Sequence, residues 1–250
     1  MMETFGQLAR TVWRPARSEV RTPARSERYM KLTKKIVWVV IFAVAMAFLE
    51  AAVVAYLRRL YGISDPILTI PPFDPQIARI ELGRELATLL MLLSLGWIAG
   101  QRLQSRLGFT LVAFGVWDIL YYLWLKVFIA WPTTLLDPDL LFLIPLPWWG
   151  PVIAPILISL LMIMGGTLAI LREEQGHVFR FRITEAIVLL AGILAMLYAF
   201  MQDAISTFPA GASLLSQSKP SQFNWAVFLA GLFLSGFVVW RVTKRKHVAK

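Results

Sequence analysis

Cysteine is entirely absent from the 250 residues of this chain. Disulfide bridges, thiolate-bound zinc, cysteine-ligated iron–sulfur clusters and cysteine nucleophiles are therefore excluded. The chain has two histidines, His177 and His247, and both lie outside its long apolar runs. A haem held by histidines inside a membrane, or a ferritin-like di-iron site with its Glu-x-x-His pairs, is excluded as well. We therefore predict no metal or haem cofactor, and the apolar chain leaves room for a bound lipid, quinone or pigment.

Charged residues are scarce too, at 16% of the chain against 58% hydrophobic residues, and the mean hydropathy is +0.66. This composition lies outside the range of soluble globular proteins and indicates a membrane protein. A helix of about 20 apolar residues crosses a hydrocarbon core about 30 Å thick. Six runs meet that length: residues 36–57, 80–99, 107–129, 151–171, 185–205 and 223–240. The sequence therefore predicts an all-α bundle of six transmembrane helices.

The connection between the third and fourth spans is unusual. Residues 131–150, WPTTLLDPDLLFLIPLPWWG, are too apolar for an ordinary loop and too rich in proline for a helix. They predict an interfacial or re-entrant segment. We expect Trp131, Trp148 and Trp149 to anchor this segment at the membrane surface.

The two ends of the chain are basic. Residues 1–35 contain the near-repeat RPARSEVR and TPARSERY, and their proline, serine and alternating charge favour a largely disordered tail. Residues 36–241 form the membrane domain, and residues 242–250 a second basic tail. Within the first span, alanine recurs every four residues at positions 43, 47, 51 and 55, and in the fifth span at positions 191, 195 and 199. Such ladders predict faces on which other helices pack closely.

Charge distribution predicts the orientation. Six spans place both termini on one side, and that side carries nineteen of the 25 Lys and Arg residues. By the positive-inside rule, both termini lie in the cytoplasm of a multi-pass protein of the bacterial inner, or cytoplasmic, membrane. The same bias explains the net charge of +10, so a nucleic-acid partner is not predicted.

The third span carries ionisable residues at depth. Asp118 is expected near the midplane, with Tyr122 and Lys126 following at four-residue spacing on the same helix face. An ionisable side chain at that depth is costly unless it is paired or hydrated, and it therefore suggests a functional site. Helix rise places Glu50 about 10 Å and Glu85 about 8 Å inside the outer ends of their spans.

These positions predict an outward-facing buried cluster that serves as a proton or small-ligand site. Its members are Glu50, Glu85, Asp118, Tyr122 and Lys126, with Arg84, Tyr121 and Trp117 as supporting residues. A second interpretation stays open, in which Lys126 and Arg84 only neutralise the buried carboxylates and no ligand binds.

Several segments carry a resemblance to known proteins. FLEAAVVAYLRR, WDILYYLWLK and LFLIPLPWWGP, taken together, resemble a group of bacterial inner-membrane proteins of unknown function. The resemblance covers about residues 48–160. It implies a bacterial polytopic membrane protein and brings no activity, cofactor or catalytic residue with it.

The function we favour is an integral subunit or binding protein of a larger inner-membrane assembly, in contact with membrane lipids and other membrane protein subunits. A stand-alone carrier is the first alternative, and a membrane-embedded enzyme that modifies lipids or quinones is the second. No nucleophile motif, phosphate-binding loop or metal-ligand spacing supports catalysis. We therefore assign no catalytic residue.

Overall fold

The computed structural model describes residues 25–63, 75–207 and 222–245, and its main elements are six long helices. The helices are α1 (Arg25–Leu60), α2 (Pro75–Ala99), α3 (Leu103–Ile129), α4 (Ile153–Glu174), α5 (Ile183–Thr207) and α6 (Trp225–Lys244). Each is long and apolar enough to cross a membrane. The predicted all-α fold with six membrane helices is confirmed.

The first helix begins earlier than the sequence predicts. A largely disordered tail is expected up to residue 35, but α1 already starts at Arg25. No proline or glycine interrupts residues 25–60, and Glu27 precedes Lys31 by four residues, a spacing that supports a helix. The other residues of the predicted tails, 1–24 and 246–250, lie outside the described residues.

Glycines set the close approach of α3 to α4. A Cβ atom at Gly166 would lie 2.5 Å from the carbonyl oxygen of Gly108, and a Cβ at Gly108 would lie 2.8 Å from that of Gly166. Two turns further along α3, a Cβ at Gly115 would lie 2.6 Å from the carbonyl oxygen of Ser159. The two backbones therefore touch, which is the packing that small residues permit between membrane helices.

Close packing at glycines also joins α5 to α6, at positions next to the predicted alanines. Gly192 and Gly231 face each other, each with no room for a Cβ atom. Of the predicted alanines, Ala199 is buried, Ala195 is half-buried and Ala191 is exposed. The buried face of α5 also contains Gly192 and Met196. In α1, by contrast, the four predicted alanines are all buried.

Residues 131–152 form a β-hairpin that covers one end of the bundle, which we call the hairpin side; the opposite end is the terminal side. Strand β1 (Pro138–Leu140) pairs antiparallel with β2 (Trp149–Pro151). The expectation of three tryptophan anchors at the membrane surface is wrong for two of them. Trp131 is fully buried and Trp149 is 3% exposed, so both serve the protein core.

Hydrogen bonds and ion pairs of two glutamates connect the helix ends on the terminal side. The Glu173 carboxylate accepts hydrogen bonds of 2.8 and 2.5 Å from the amide and hydroxyl groups of Ser105, at the start of α3. The Glu185 carboxylate pairs with Arg245 and, at 3.2 Å, with Arg241. These contacts tie α4 to α3 and α6 to α5.

Candidate functional site

Glu50 is held between two side chains of α2. The Arg84 guanidinium forms an ion pair with the Glu50 carboxylate, and the Thr88 hydroxyl donates a hydrogen bond of 2.6 Å to it. Glu50 and Thr88 are 7% and 1% exposed. The two long side chains, Glu50 from α1 and Arg84 from α2, span the interface between these helices. Glu50 is thus a buried carboxylate with a specific cationic partner.

Two further glutamates lie near the start of α2. Glu81 binds the same guanidinium as Glu50, with 2.9 Å from its carboxylate to the Arg84 nitrogens. Glu85, one turn deeper, accepts the backbone N–H of Leu143 at 3.0 and 3.1 Å. Glu85 therefore attaches the tip of the hairpin to α2.

Asp118 lies near the middle of α3, and its carboxylate accepts a hydrogen bond of 2.8 Å from the Ser159 hydroxyl of α4. Both side chains are buried. The contact is possible because Gly115, one turn earlier, lets α3 and α4 approach closely. Trp117 and Tyr121 pack beside this carboxylate with ring centroids 6.3 Å apart. The partner of the deepest carboxylate is therefore a neutral hydroxyl rather than a cation.

Tyr122 connects α3 to the hairpin. Its hydroxyl donates a hydrogen bond of 3.1 Å to the Asp139 carboxylate of β1. The guanidinium of Arg58, at the end of α1, lies 3.8 Å from the same carboxylate and 4.0 Å from the centroid of the Trp131 ring. Trp131 is thus buried beneath a cation, which explains its absence from the membrane surface.

Electrostatic contacts join these groups into one cluster. Asp118 interacts with Asp139, and Tyr121 interacts with both of them and with Arg58 and Arg84. The acidic cluster consists of the carboxylates of Glu50, Glu81, Glu85, Asp118 and Asp139 and the guanidinium groups of Arg58 and Arg84. All five acidic residues are at most 7% exposed. Among the described residues of the cluster, five carboxylates face two guanidinium groups, so these groups would carry excess negative charge if all were ionised.

Lys126 does not join the cluster. Its ammonium group donates hydrogen bonds of 3.2 Å to the Ala130 carbonyl and 2.8 Å to the Pro132 carbonyl. These carbonyls follow the end of α3, where a cation is favoured by the helix dipole. The sequence predicts Lys126 as a member of the cluster, but among the described residues it contacts these two carbonyls and no buried carboxylate. Arg84 and Arg58 supply the positive charge instead.

The terminal-side half of the surrounding bundle is apolar. Four stretches contain no Asp, Glu, His, Lys, Arg or Tyr: residues 36–49 of α1, 86–99 of α2, 107–117 of α3 and 160–171 of α4. Eleven residues of helix between Asp118 and Arg106 span about 16 Å. The ionisable groups of α1–α4 therefore lie on the hairpin half and at the terminal surface, with an apolar layer between.

Comparison with known proteins gives no family. No protein-family model, no curated protein and no solved structure matches the chain.

The structure adds cluster members that the sequence did not predict. The added members are Glu81, Asp139 and Arg58. Ser159, which binds the cluster through Asp118, is one of two hydroxyl residues in the apolar helix α4. Asp139 did leave a signal, because LLDPDLLFLIP places an acidic residue within a very apolar segment. In the part of the chain that the structure describes, no group of three His, Asp or Glu side chains fits a metal ion.

Asp137 organises the exposed turn that leads into β1. Its carboxylate accepts hydrogen bonds of 2.6–3.2 Å from the hydroxyl and amide groups of Thr133 and Thr134. Slight desolvation acts to raise the pKa of Asp137, but these hydrogen bonds outweigh it and lower the pKa from 3.8 to about 2. The turn is therefore built around an ionised carboxylate.

Proposed function

We propose that this chain is an integral subunit or binding protein of a larger assembly in the bacterial inner membrane. It takes up a proton or a small ligand at the acidic cluster, from the hairpin side. The observation that carries this proposal is the imbalance of five buried carboxylates against two guanidinium groups. Excess negative charge at membrane depth is costly, and a bound proton relieves it.

The neutral partner of Asp118 supports the same proposal. A purely structural network would place a cation beside its deepest carboxylate, since buried charges are normally paired. Asp118 has the Ser159 hydroxyl instead, which remains a suitable partner whether the carboxyl group is ionised or protonated. Asp118 is the group at which uptake is most favourable.

The apolar layer on the terminal side favours a subunit or binding protein over a stand-alone carrier. A carrier must connect its site to both sides of the membrane, and proton pathways within membranes are lined by ionisable groups. The four apolar stretches of α1–α4 supply none. The site is therefore served from the hairpin side, and any coupling to the other side requires a partner protein.

Infrared difference spectroscopy tests uptake. Full-length protein in lipid nanodiscs is titrated while the carbonyl stretching band of protonated carboxyl groups is followed. We expect a band that disappears in Asp118→Asn and persists in Glu174→Gln, a control outside the cluster. Difference spectra of Asp118→Asn that are identical to those of the unaltered protein would contradict the proposal.

Purification from native membranes tests the subunit role. In mild detergent the tagged protein is expected to elute with other membrane proteins in fixed ratio. If the protein elutes alone in every detergent, the subunit role is contradicted and the role of a binding protein remains.

A further inference from the structure

A cleft separate from the acidic cluster opens on the hairpin side, between β2 and the neighbouring ends of α5 and α6. Its volume is about 280 Å³. The described residues that line it include Trp149, Ala199, Gln202, Asp203, Phe223 and Trp225. None of these residues belongs to the acidic cluster.

The lining favours a positively charged group. Phe223 and Trp225 contact each other edge to face, with ring centroids 5.0 Å apart, and aromatic faces attract ammonium groups. Asp203 is the charged side chain among the described residues of the lining. A carboxylate has about four lone-pair positions, so it can accept a further donor beside the partners it already has. Charge and aromatic surface therefore point to the same kind of ligand.

The position of the cleft indicates where such a ligand comes from. It lies at the hairpin-side ends of two membrane helices, the level at which tryptophan meets lipid headgroups. On α6, Leu229 and Phe233 follow Trp225 at four-residue spacing and are 48% and 73% exposed. This apolar track runs from the cleft into the membrane, where an acyl chain would lie.

We propose that the cleft binds the ammonium headgroup of a zwitterionic phospholipid, whose acyl chain follows the Leu229–Phe233 track. At about 280 Å³ the cleft lies just below the usual range for drug-sized ligands, about 300–1,000 Å³. It suits a headgroup rather than a whole lipid. The ammonium group lies against Trp225 and Phe223 and donates hydrogen bonds to Asp203.

Native mass spectrometry of the full-length protein tests this site. Protein in mild detergent is mixed with phosphatidylethanolamine or with phosphatidylglycerol, which has no ammonium group. We expect preferential retention of phosphatidylethanolamine. Trp225→Leu and Asp203→Asn should each reduce that retention about three- to tenfold. Trp38→Leu, which removes a tryptophan that is 69% exposed on α1, should leave it unchanged.

Three results would overturn the proposal. The first is equal retention of both lipids, or retention that neither cleft variant alters. The second is a Lys219→Gln variant that retains more phosphatidylethanolamine, since an ammonium group of the chain itself would then occupy the cleft. The third is glycerophosphoethanolamine, which lacks acyl chains, binding as tightly as the lipid. None of these results bears on proton uptake at Asp118.

Discussion

The Arg84 guanidinium meets the Glu50 carboxylate across the interface between α2 and α1. It is the closest cationic contact of a carboxylate that is 7% exposed. Loss of one partner of a buried pair leaves the other charge uncompensated, and this costs more than the pair itself contributes.

Arg84→Met is therefore expected to lower the free energy of unfolding by about 3 kcal/mol. Arg84→Met combined with Glu50→Gln should recover part of this loss, because the Glu50 charge is gone while the Glu81 carboxylate still lacks its guanidinium partner. Chemical unfolding of the purified protein in detergent measures both. Arg79→Met, at an exposed position of the same helix, is the control and should change little; an equal loss in this control would refute the assignment.

Lys126→Met should have a much smaller effect. The ammonium group binds two backbone carbonyls at the exposed end of α3, so its removal should cost no more than about 1 kcal/mol. The same unfolding measurement applies. A loss as large as that of Arg84→Met would mean that Lys126 neutralises buried carboxylates after all.

Gly166→Ala and Gly165→Ala form a matched pair in α4. A Cβ atom at Gly166 would meet the Gly108 carbonyl oxygen at 2.5 Å, whereas one at Gly165 would lie 3.5 Å from Val239. We expect Gly166→Ala to destabilise the protein by about 1–3 kcal/mol through overpacking. Gly165→Ala should be neutral or stabilising, because alanine favours a helix. Thermal unfolding compares them, and equal behaviour would contradict the contact of α3 with α4.

The turn around Asp137 should lose its stabilising hydrogen bonds only at strongly acidic pH. Its pKa is lowered to about 2 in the folded protein, against 3.8 for the free group. The stabilisation is therefore complete above pH 3.8 and is lost as the pH falls through about 2. The carboxyl ¹³C resonance of Asp137, assigned by its loss in Asp137→Asn, should titrate near pH 2. A midpoint near 4 would show that the threonine hydrogen bonds do not form in solution.

Topology can be tested in a chain without cysteine. The charge bias predicts that the hairpin lies outside and the turn after α4 inside. An impermeant thiol reagent should label Leu136→Cys in intact cells, and Gln175→Cys only after the cells are opened; both positions are exposed. The reverse pattern would invert the orientation.

Helix number and position follow from the sequence because a hydrocarbon core sets a minimum length of apolar helix. The alanine face of α1 was predictable for a similar reason: only one face of a helix can pack on its neighbours. In α5 the close contact lies at a glycine next to the predicted alanines, because glycine permits a closer approach than alanine, and Gly192 meets Gly231. The spacing of small residues in the sequence does not show whether the alanines or the glycine make the closest helix contact.

Several residues of the candidate site were predictable from the sequence, but their pairing was not. Burial of Glu50, Glu85, Asp118 and Tyr122 follows from their position in the spans. The direction of a long side chain does not follow from its position in a span. Lys126, for example, binds the carbonyls that follow its own helix rather than the carboxylates. Asp139 was missed because its burial depends on the fold of the hairpin, a non-local property.

If Asp118 takes up a proton from the hairpin side, as we propose, its depth above the apolar layer would make the site sensitive to voltage. A proton that arrives from the hairpin side crosses about half of the membrane's electric field, and a full crossing is worth about 2.3 kcal/mol per 100 mV. Half of that changes the proton affinity about sevenfold per 100 mV. With the hairpin outside, a more negative cell interior draws the proton in. Occupancy of Asp118 would then report the energised state of the membrane as well as the external pH.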